Sequence, residues 1–392
     1  MPLGEAAPAP LFAFRSAEGT LIGLGQAAAL PGGPAATLAA RLDTFFRSAG
    51  PDAILAGAMP FDRAAKDDLR QAARVASALP PQPAPARSVR WSLRHEPDAA
   101  GYADAVRRAL DILAAEAALS APPGDALTKI VLSRSLLATA DAPIDPVALL
   151  HRLAADPSVT TFLVPLPDGQ AGPRQLAGAT PELLLSKRAD RVASHPLAGS
   201  ARRHREPARD AAAAEALLRS GKDGREHAIA AEFVLDTLAP WCRTLARPQG
   251  VQLRGTASLW HLGTRIEGRL KDPGLSAALL ASILHPTPAV CGLPRDRAAA
   301  LIDRLEPRDR GFYGGAIGWC DGRGDGTWHV AIRCAELSGR QARLHAGAGI
   351  VPGSEPWKEV DETAAKYGAM LAALGIDLPE DRAGTAGPPG PP

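Results

Sequence analysis

Apolar residues recur at helical spacing in several stretches of the chain. Tyr102, Val106, Leu110 and Leu113 share one face of Pro97–Leu119, and that spacing predicts an amphipathic helix. The same period predicts helices over Thr37–Phe46, Pro207–Arg219, Lys222–Leu245, Gly274–Leu284, Arg295–Leu305 and Pro356–Leu374. Short apolar or alternating runs predict strands at Leu11–Phe14, Ala53–Phe61, Thr128–Leu137, Val159–Pro165 and Glu182–Ser186. Further strands are expected at Gln252–Leu262, Gly315–Cys320, Trp328–Ala335 and Arg343–Val351. Ser194–Arg203, rich in small residues, reads as a loop, and Leu79–Arg87 (LPPQPAPAR) as a Pro-rich surface connector. The final stretch, DRAGTAGPPGPP, cannot pack a core and is expected to be disordered.

Strands dispersed between helices without strict βα alternation, and without GxGxxG or GxxxxGK[ST], point away from a Rossmann or P-loop fold. The expected class is α/β in the α+β sense: a large domain with antiparallel sheets. Composition adds mainly exclusions. The 392 residues are 46% hydrophobic and 22% charged, the balance of a globular protein with a substantial core. A net charge of +2 and 4% aromatic residues give no case for nucleic acid or an anionic membrane as partner. No apolar run nears the roughly 20 residues needed to span a bilayer, and the N-terminus lacks the marks of a signal peptide. Cys242, Cys291, Cys320 and Cys334 form no CxxC pair, so buried reduced thiols in a cytoplasmic protein are expected.

The stretch around which the rest is organised is Leu284–Glu336, running from a proline-fixed loop through a helix to a Gly-rich turn and two strands. Prolines and glycines of this kind suit a concave site for a small polar ligand; a plain loop–helix–hairpin is the alternative. On the last helix Glu359, Glu362 and Lys366 share a face, where two carboxylates suit a hard divalent ion or simply a salt-bridged surface. Glu226 in KDGREH can complete a carboxylate-only magnesium site or merely favour a helix N-terminus. Lys129 heads TKIVLSRS and Glu182 stands in GATPELLL. A buried lysine that has lost its charge takes protons, and a carboxyl that keeps its proton gives one, so the two suit acid–base work if they meet. Arg333 sits in an apolar run and needs a partner, either a buried acid or a bound carboxylate.

These motifs also occur together and in order. KIVLSR, GATPELLL, HPLAGS, KDGREH, WHLGT, LHPTPAVCGLP, DRGFYGGAIGW, AIRCAEL and AGAGIVPGSEPWKEVDETAAKYGAML resemble the chorismate-utilising enzymes, and among them the siderophore-type isochorismate synthases. The resemblance covers about residues 95–375. It implies a chorismate-binding catalytic core over 91–376, a weakly patterned N-terminal part of the same domain over 1–90, and a tail at 377–392. By motif matching it implies Lys129 as the base that activates water at C2 and Glu182 as the acid at the C4 hydroxyl. Glu226 and Glu362 are then Mg²⁺ ligands, with Glu359 nearby through water. Lys366, Arg333, Gly347, Gly199 and Ser200 hold the substrate, and His261 and Ala289 line the pocket.

Within the family, aminodeoxychorismate synthases carry a lysine nucleophile where this chain has Ala198. Anthranilate synthases lack the base that Lys129 supplies and need an ammonia source; here no glutaminase subunit is expected, and a monomer is. Salicylate synthases share both catalytic residues and go on to eliminate pyruvate, but differ around HPTPAVCG, where this chain resembles the plain synthases. The alternatives to isochorismate formation are therefore salicylate synthesis and a non-catalytic chorismate-binding paralogue.

Overall fold

The computed structural model describes residues 9–82, 89–118, 126–169 and 172–377; most of the Pro-rich connector and all but the first residue of the 377–392 tail lie outside the described residues. In chain order β1 (Phe12–Ser16), β2 (Gly19–Ala29), α1 (Leu38–Ala49), β3 (Ile54–Met59) and β4 (Asp68–Ala76) come first. They are followed by β5 (Trp91–Glu96), α2 (Ala99–Ala118), β6 (Lys129–Ala140) and α3 (Pro146–Leu153). Next are β7 (Thr160–Gly169), β8 (Gly172–Thr180), β9 (Leu183–Arg188), β10 (Arg191–His195) and β11 (Leu197–Arg202). Two helices, α4 (Pro207–Arg219) and α5 (Gly221–Leu238), precede β12 (Cys242–Ala246), β13 (Val251–Gly255), β14 (Leu259–Thr264) and β15 (Ile266–Leu270). The chain then forms α6 (Ala277–Leu284), β16 (Gly292–Leu293), α7 (Arg295–Leu305) and β17 (Ala316–Asp321). It closes with β18 (Gly326–Val330), β19 (Cys334–Ser338), β20 (Gln341–Ile350) and α8 (Pro356–Leu374).

Among the described residues, seventeen strands form one antiparallel sheet, and β11, β14 and β13 form a second of three. The large sheet has two arms. One runs β7–β8–β19–β20–β6, with β5 and β16 sharing the outer edge of β6. The other runs β17–β18–β9–β10–β15–β12. The N-terminal strands join them in the order β7–β1–β2–β4–β3–β17. The weakly patterned first part of the sequence is thus the bridge of the sheet.

Helices hold the arm that carries β6 by both apolar burial and specific polar ties. The α2 face predicted from Tyr102, Val106 and Leu113 is buried, and Tyr102 Oη donates to Leu132 O at 2.8 Å. From β6, Arg134 donates to Thr363 Oγ1 (2.9 Å) and Val360 O (3.0 Å) of α8, while Tyr367 Oη of α8 donates back to Arg134 O (2.7 Å). A buried guanidinium with fixed acceptors locks helix and strand in one register. Gly375, at φ 75°, stops α8 in a left-handed cap that a glycine takes without strain.

Four expected elements are corrected. The helix expected over Lys222–Leu245 ends at Leu238 because Pro240 follows, and Cys242–Ala246 becomes β12. The strand expected over Gln252–Leu262 is a hairpin, β13 and β14, turned by the Thr256 hydroxyl, which accepts from Leu259 N at 3.1 Å. The expected loop Ser194–Arg203 contains β11, whose alternation is hidden by a register shift between Ala198 and Ser200 at Gly199 (φ 69°). The strand expected over Trp328–Ala335 breaks between β18 and β19, and Arg333 stands in the break at φ 52°, a conformation a non-glycine residue rarely adopts. The four cysteines are buried and unpaired, and no helix of the described residues is long and apolar enough to cross a membrane.

Candidate active site

The chain changes arms twice near one point. Between β8 and β9 it crosses at Thr180–Glu182, and between β18 and β19 it crosses back at Ala331–Arg333. The crossings are bonded to each other: Ala179 N donates to Arg333 O (3.0 Å), Thr180 Oγ1 to Val330 O (2.8 Å) and Val330 N to Glu182 O (3.1 Å). Glu182 and Arg333 therefore stand side by side although 151 positions separate their numbers (333 − 182). They face a common cleft.

Each wall of this cleft comes from a different element. β20 contributes Gly347 and Gly349, α8 contributes Glu362 and Lys366, and α5 contributes Glu226. The small sheet adds Gly199, Ser200 and His261, and the loop before α7 adds Ala289. That loop is held from outside the cleft by Arg310, which donates to Val290 O (2.6 Å) and Val131 O (2.7 Å) and pairs with buried Glu306. Ten of the twelve expected site residues are thus on the cleft surface; Lys129 and Glu359 stand behind it.

Lys129 is fully buried, and its Nζ lies 3.0 Å from Glu226 Oε1. The contact is one of charge: the angles are not those of a hydrogen bond, and the ammonium has no hydrogen-bond partner among the described residues. Opposite Val131 in the β20–β6 ladder, Gly349 makes room for this pair, since a Cβ there would lie 2.1 Å from Glu226 Oε1 and 3.2 Å from Lys129 Cε. Only a residue without a side chain lets the carboxylate rest on the strand.

Glu182 has the opposite character. Burial pushes its carboxyl up to about 7, against the backbone N–H of Leu197 and the charges of Lys129, Arg333 and Lys366, and its Oε1 has no hydrogen-bond partner among the described residues. His261 is pushed down to about 3 by burial and then by Arg333 and Lys366, so the ring is neutral. Its Nδ1 lies 3.2 Å from Gly199 O, which only an N–H can satisfy. Nε2, buried and unpartnered, is then an acceptor. The Arg333 side chain has no hydrogen bond or ion pair among the described residues, and burial lowers its pKa, leaving a guanidinium fork ready for a carboxylate. Ser200 Oγ is buried beside the Glu362 carboxylate and helps to keep it charged.

The expected metal carboxylates each face a lysine. Glu226 pairs with Lys129, Glu359 with Lys222 (2.7 Å), and Glu362 with Lys366 (2.6 Å), whose Nζ also donates to Gly347 O at 2.8 Å. In these rotamers no three His, Cys, Asp or Glu side chains stand at metal-ligand spacing among the described residues, so the expected grouping of Glu226, Glu359 and Glu362 is not assembled here. The donors nonetheless suit a hard cation: they are carboxylates only, and the Lys222 ammonium already stands in the field of all three. Burial and then the Glu362 charge raise the Glu359 carboxyl, while for Glu362 burial is outweighed by Lys366 and its carboxyl is lowered.

Sequence reasoning missed Lys222, Tyr313 and His345. Tyr313 and His345 line the cleft and stack with ring centroids 4.9 Å apart. Lys222 lay in a motif already singled out, one turn before Glu226, and that spacing was the available signal.

Residues 54–375 match the profile of the family described as chorismate binding enzyme. The chain is 49% identical to isochorismate synthase DhbC of Bacillus subtilis over 254 residues, 64% of this chain and 64% of that one. It is 43% identical to a candidate isochorismate synthase, MenF, of Mycobacterium tuberculosis over 378 residues, 94% of this chain and 97% of that one. Among solved structures, a candidate 2,3-dihydroxybenzoate-specific isochorismate synthase, DhbC, from Bacillus anthracis superposes with a TM-score of 0.86 at 37% identity, covering 94% of this chain and 96% of that chain.

Proposed function

The chain belongs to the chorismate-binding enzyme family, and we propose that it is an isochorismate synthase, moving a hydroxyl from C4 to C2 of chorismate. The observation that carries this reading is the pairing of a fully buried lysine, Lys129, with a carboxyl that holds its proton to about pH 7, Glu182, at one cleft. Proton removal on one side of a ring and proton delivery on another is the whole acid–base requirement of such a transfer. When Glu226 turns away from Lys129, the ammonium first gives its proton to bulk water, and the neutral amine so formed takes a proton from the water attacking C2. Glu182 gives its proton to the C4 oxygen, which leaves as water.

Binding follows from the groups on the cleft surface. Chorismate carries two carboxylates, and Arg333 and Lys366 are the cations on the cleft surface that receive them. The lone pair of His261 Nε2 accepts from a substrate hydroxyl, and the Ser200 hydroxyl and the Gly199 and Gly347 backbone complete the polar lining. Glu226 and Glu362, with Glu359 behind, are the residues that would hold Mg²⁺, which would supply counter-charge to a substrate carboxylate. Water is the nucleophile, so no glutaminase partner is required, and the enzyme works in the cytoplasm.

Incubation with chorismate and Mg²⁺, followed by chromatography and a pyruvate-coupled assay, tests the proposal. Isochorismate in equilibrium with chorismate, without pyruvate, is the expected result. Salicylate with stoichiometric pyruvate would make it a salicylate synthase, and no turnover would leave a binding paralogue. Loss of turnover in chelator, restored by Mg²⁺, is expected; undiminished activity would refute the magnesium site.

A further inference from the structure

Lys222 has no part in the proton transfers above, yet it stands at their edge. It is the second residue of α5, whose N-terminus is capped by Ser220 accepting from Asp223 N at 3.2 Å. Its Nζ bonds Glu359 Oε1 at 2.7 Å; the Glu359 side chain is 1% exposed and that of Lys222 30%. A carboxylate so deeply buried needs a counter-charge, and a lysine that remains one-third in water can leave without crossing the core. A second cavity, which shares Glu362 and Ser200 with the cleft, is lined by Lys222, Asp223, Glu355, Lys358 and Asp361 and gives its ammonium somewhere to go.

We propose that Lys222 is a removable counter-ion: its ammonium neutralises the carboxylates of α5 and α8 until a divalent cation displaces it into the outer cavity. The inference rests on the magnesium reading given above and adds a competitor to it. Displacement makes metal affinity a difference between two cations for the same oxygens. A neutral side chain at this position leaves the carboxylates one charge more negative and removes the competitor, and both effects tighten divalent binding. A lysine with a merely structural role would act the other way, because its loss would loosen α5 against α8 and weaken the site.

Isothermal titration of Mg²⁺ into the full chain without chorismate separates the two. Lys222→Met is expected to bind Mg²⁺ about tenfold or more tightly than wild type, with a melting temperature below wild type in chelator and restored by Mg²⁺. Lys222→Arg keeps the ion pair and with it the fold, and is expected to bind Mg²⁺ no more tightly than wild type. Affinity in Lys222→Met equal to or weaker than wild type overturns displacement while leaving the magnesium reading intact; so does tighter binding by Lys222→Arg, which needs no data from the Met variant. Binding by Lys222→Met alone, with none in wild type, supports displacement. Absence of binding in all three overturns both readings.

Discussion

Replacing Glu182 by glutamine removes one titration and keeps the shape of the side chain. In the folded protein the Glu182 carboxyl is raised to about 7 from an ordinary 4.5 because the cleft buries it. Between those values the folded state holds a proton that the unfolded chain has released, so stability falls as pH rises through this window and is flat above it. The raised value corresponds to about 3 kcal/mol lost between pH 4.5 and pH 7. The glutamine side chain of the variant cannot ionise and escapes the loss. Chemical denaturation of both proteins at pH 5, 6, 7 and 8 should therefore show Glu182→Gln gaining on wild type by about 2 to 3 kcal/mol from pH 5 to pH 8. Turnover of the variant should fall about 10²- to 10⁴-fold below pH 7, the usual worth of a positioned acid, and the gap should narrow above it. In wild type, activity should decline above pH 7 as the acid is lost. Parallel stability curves for the two proteins would refute a proton held by burial, and unchanged turnover would remove Glu182 from the chemistry.

Other perturbations test the remaining groups. Lys129→Met should abolish turnover and, by leaving Glu226 without its counter-charge, lower stability by about 3 to 5 kcal/mol in denaturant titrations. Arg333→Gly should weaken chorismate binding about 100-fold, the order of a lost charged hydrogen-bond pair, while melting no lower than wild type, because glycine accepts φ 52° without strain; a melting point lowered in step with affinity would point to a structural role. Gly349→Ala places a Cβ where Glu226 Oε1 now rests, 2.1 Å away, so the carboxylate must leave Lys129; a crystal structure of the variant with the pair intact would contradict this.

Much of the site was legible in the sequence because motif residues announce themselves one at a time. The helices α2, α7 and α8 and the face shared by Glu359, Glu362 and Lys366 follow from a 3.6-residue period. What periodicity does not carry is where the sheet changes arms. Arg333 looked like a charge inside a strand, and only the pairing of β19 with β8 and β20 rather than with β18's neighbours shows that it stands in a crossing. The strand β11 was hidden for a related reason: a bulge at Gly199 interrupts the alternation by which strands are recognised. Of the three Lys–Glu pairs, Glu362–Lys366 is a local helix pair, but Lys129–Glu226 and Lys222–Glu359 join distant segments, the latter 137 positions apart, which no local pattern encodes.

The bridge formed by the first strands has a bearing on how the protein is made. Ile54–Met59 leaves the ribosome early, but its partner Ala316–Asp321 emerges only near the end of synthesis. Until then β3 offers an unpaired edge, and the two arms have no continuous connection through the hydrogen-bonded strands of the bridge. Pairings so distant in sequence close slowly, since the chain entropy of the intervening loop is lost before the contact forms. Lys129 and Glu182 are therefore brought to one cleft only after nearly the whole polypeptide is present, and a fragment released early can carry both residues without the site.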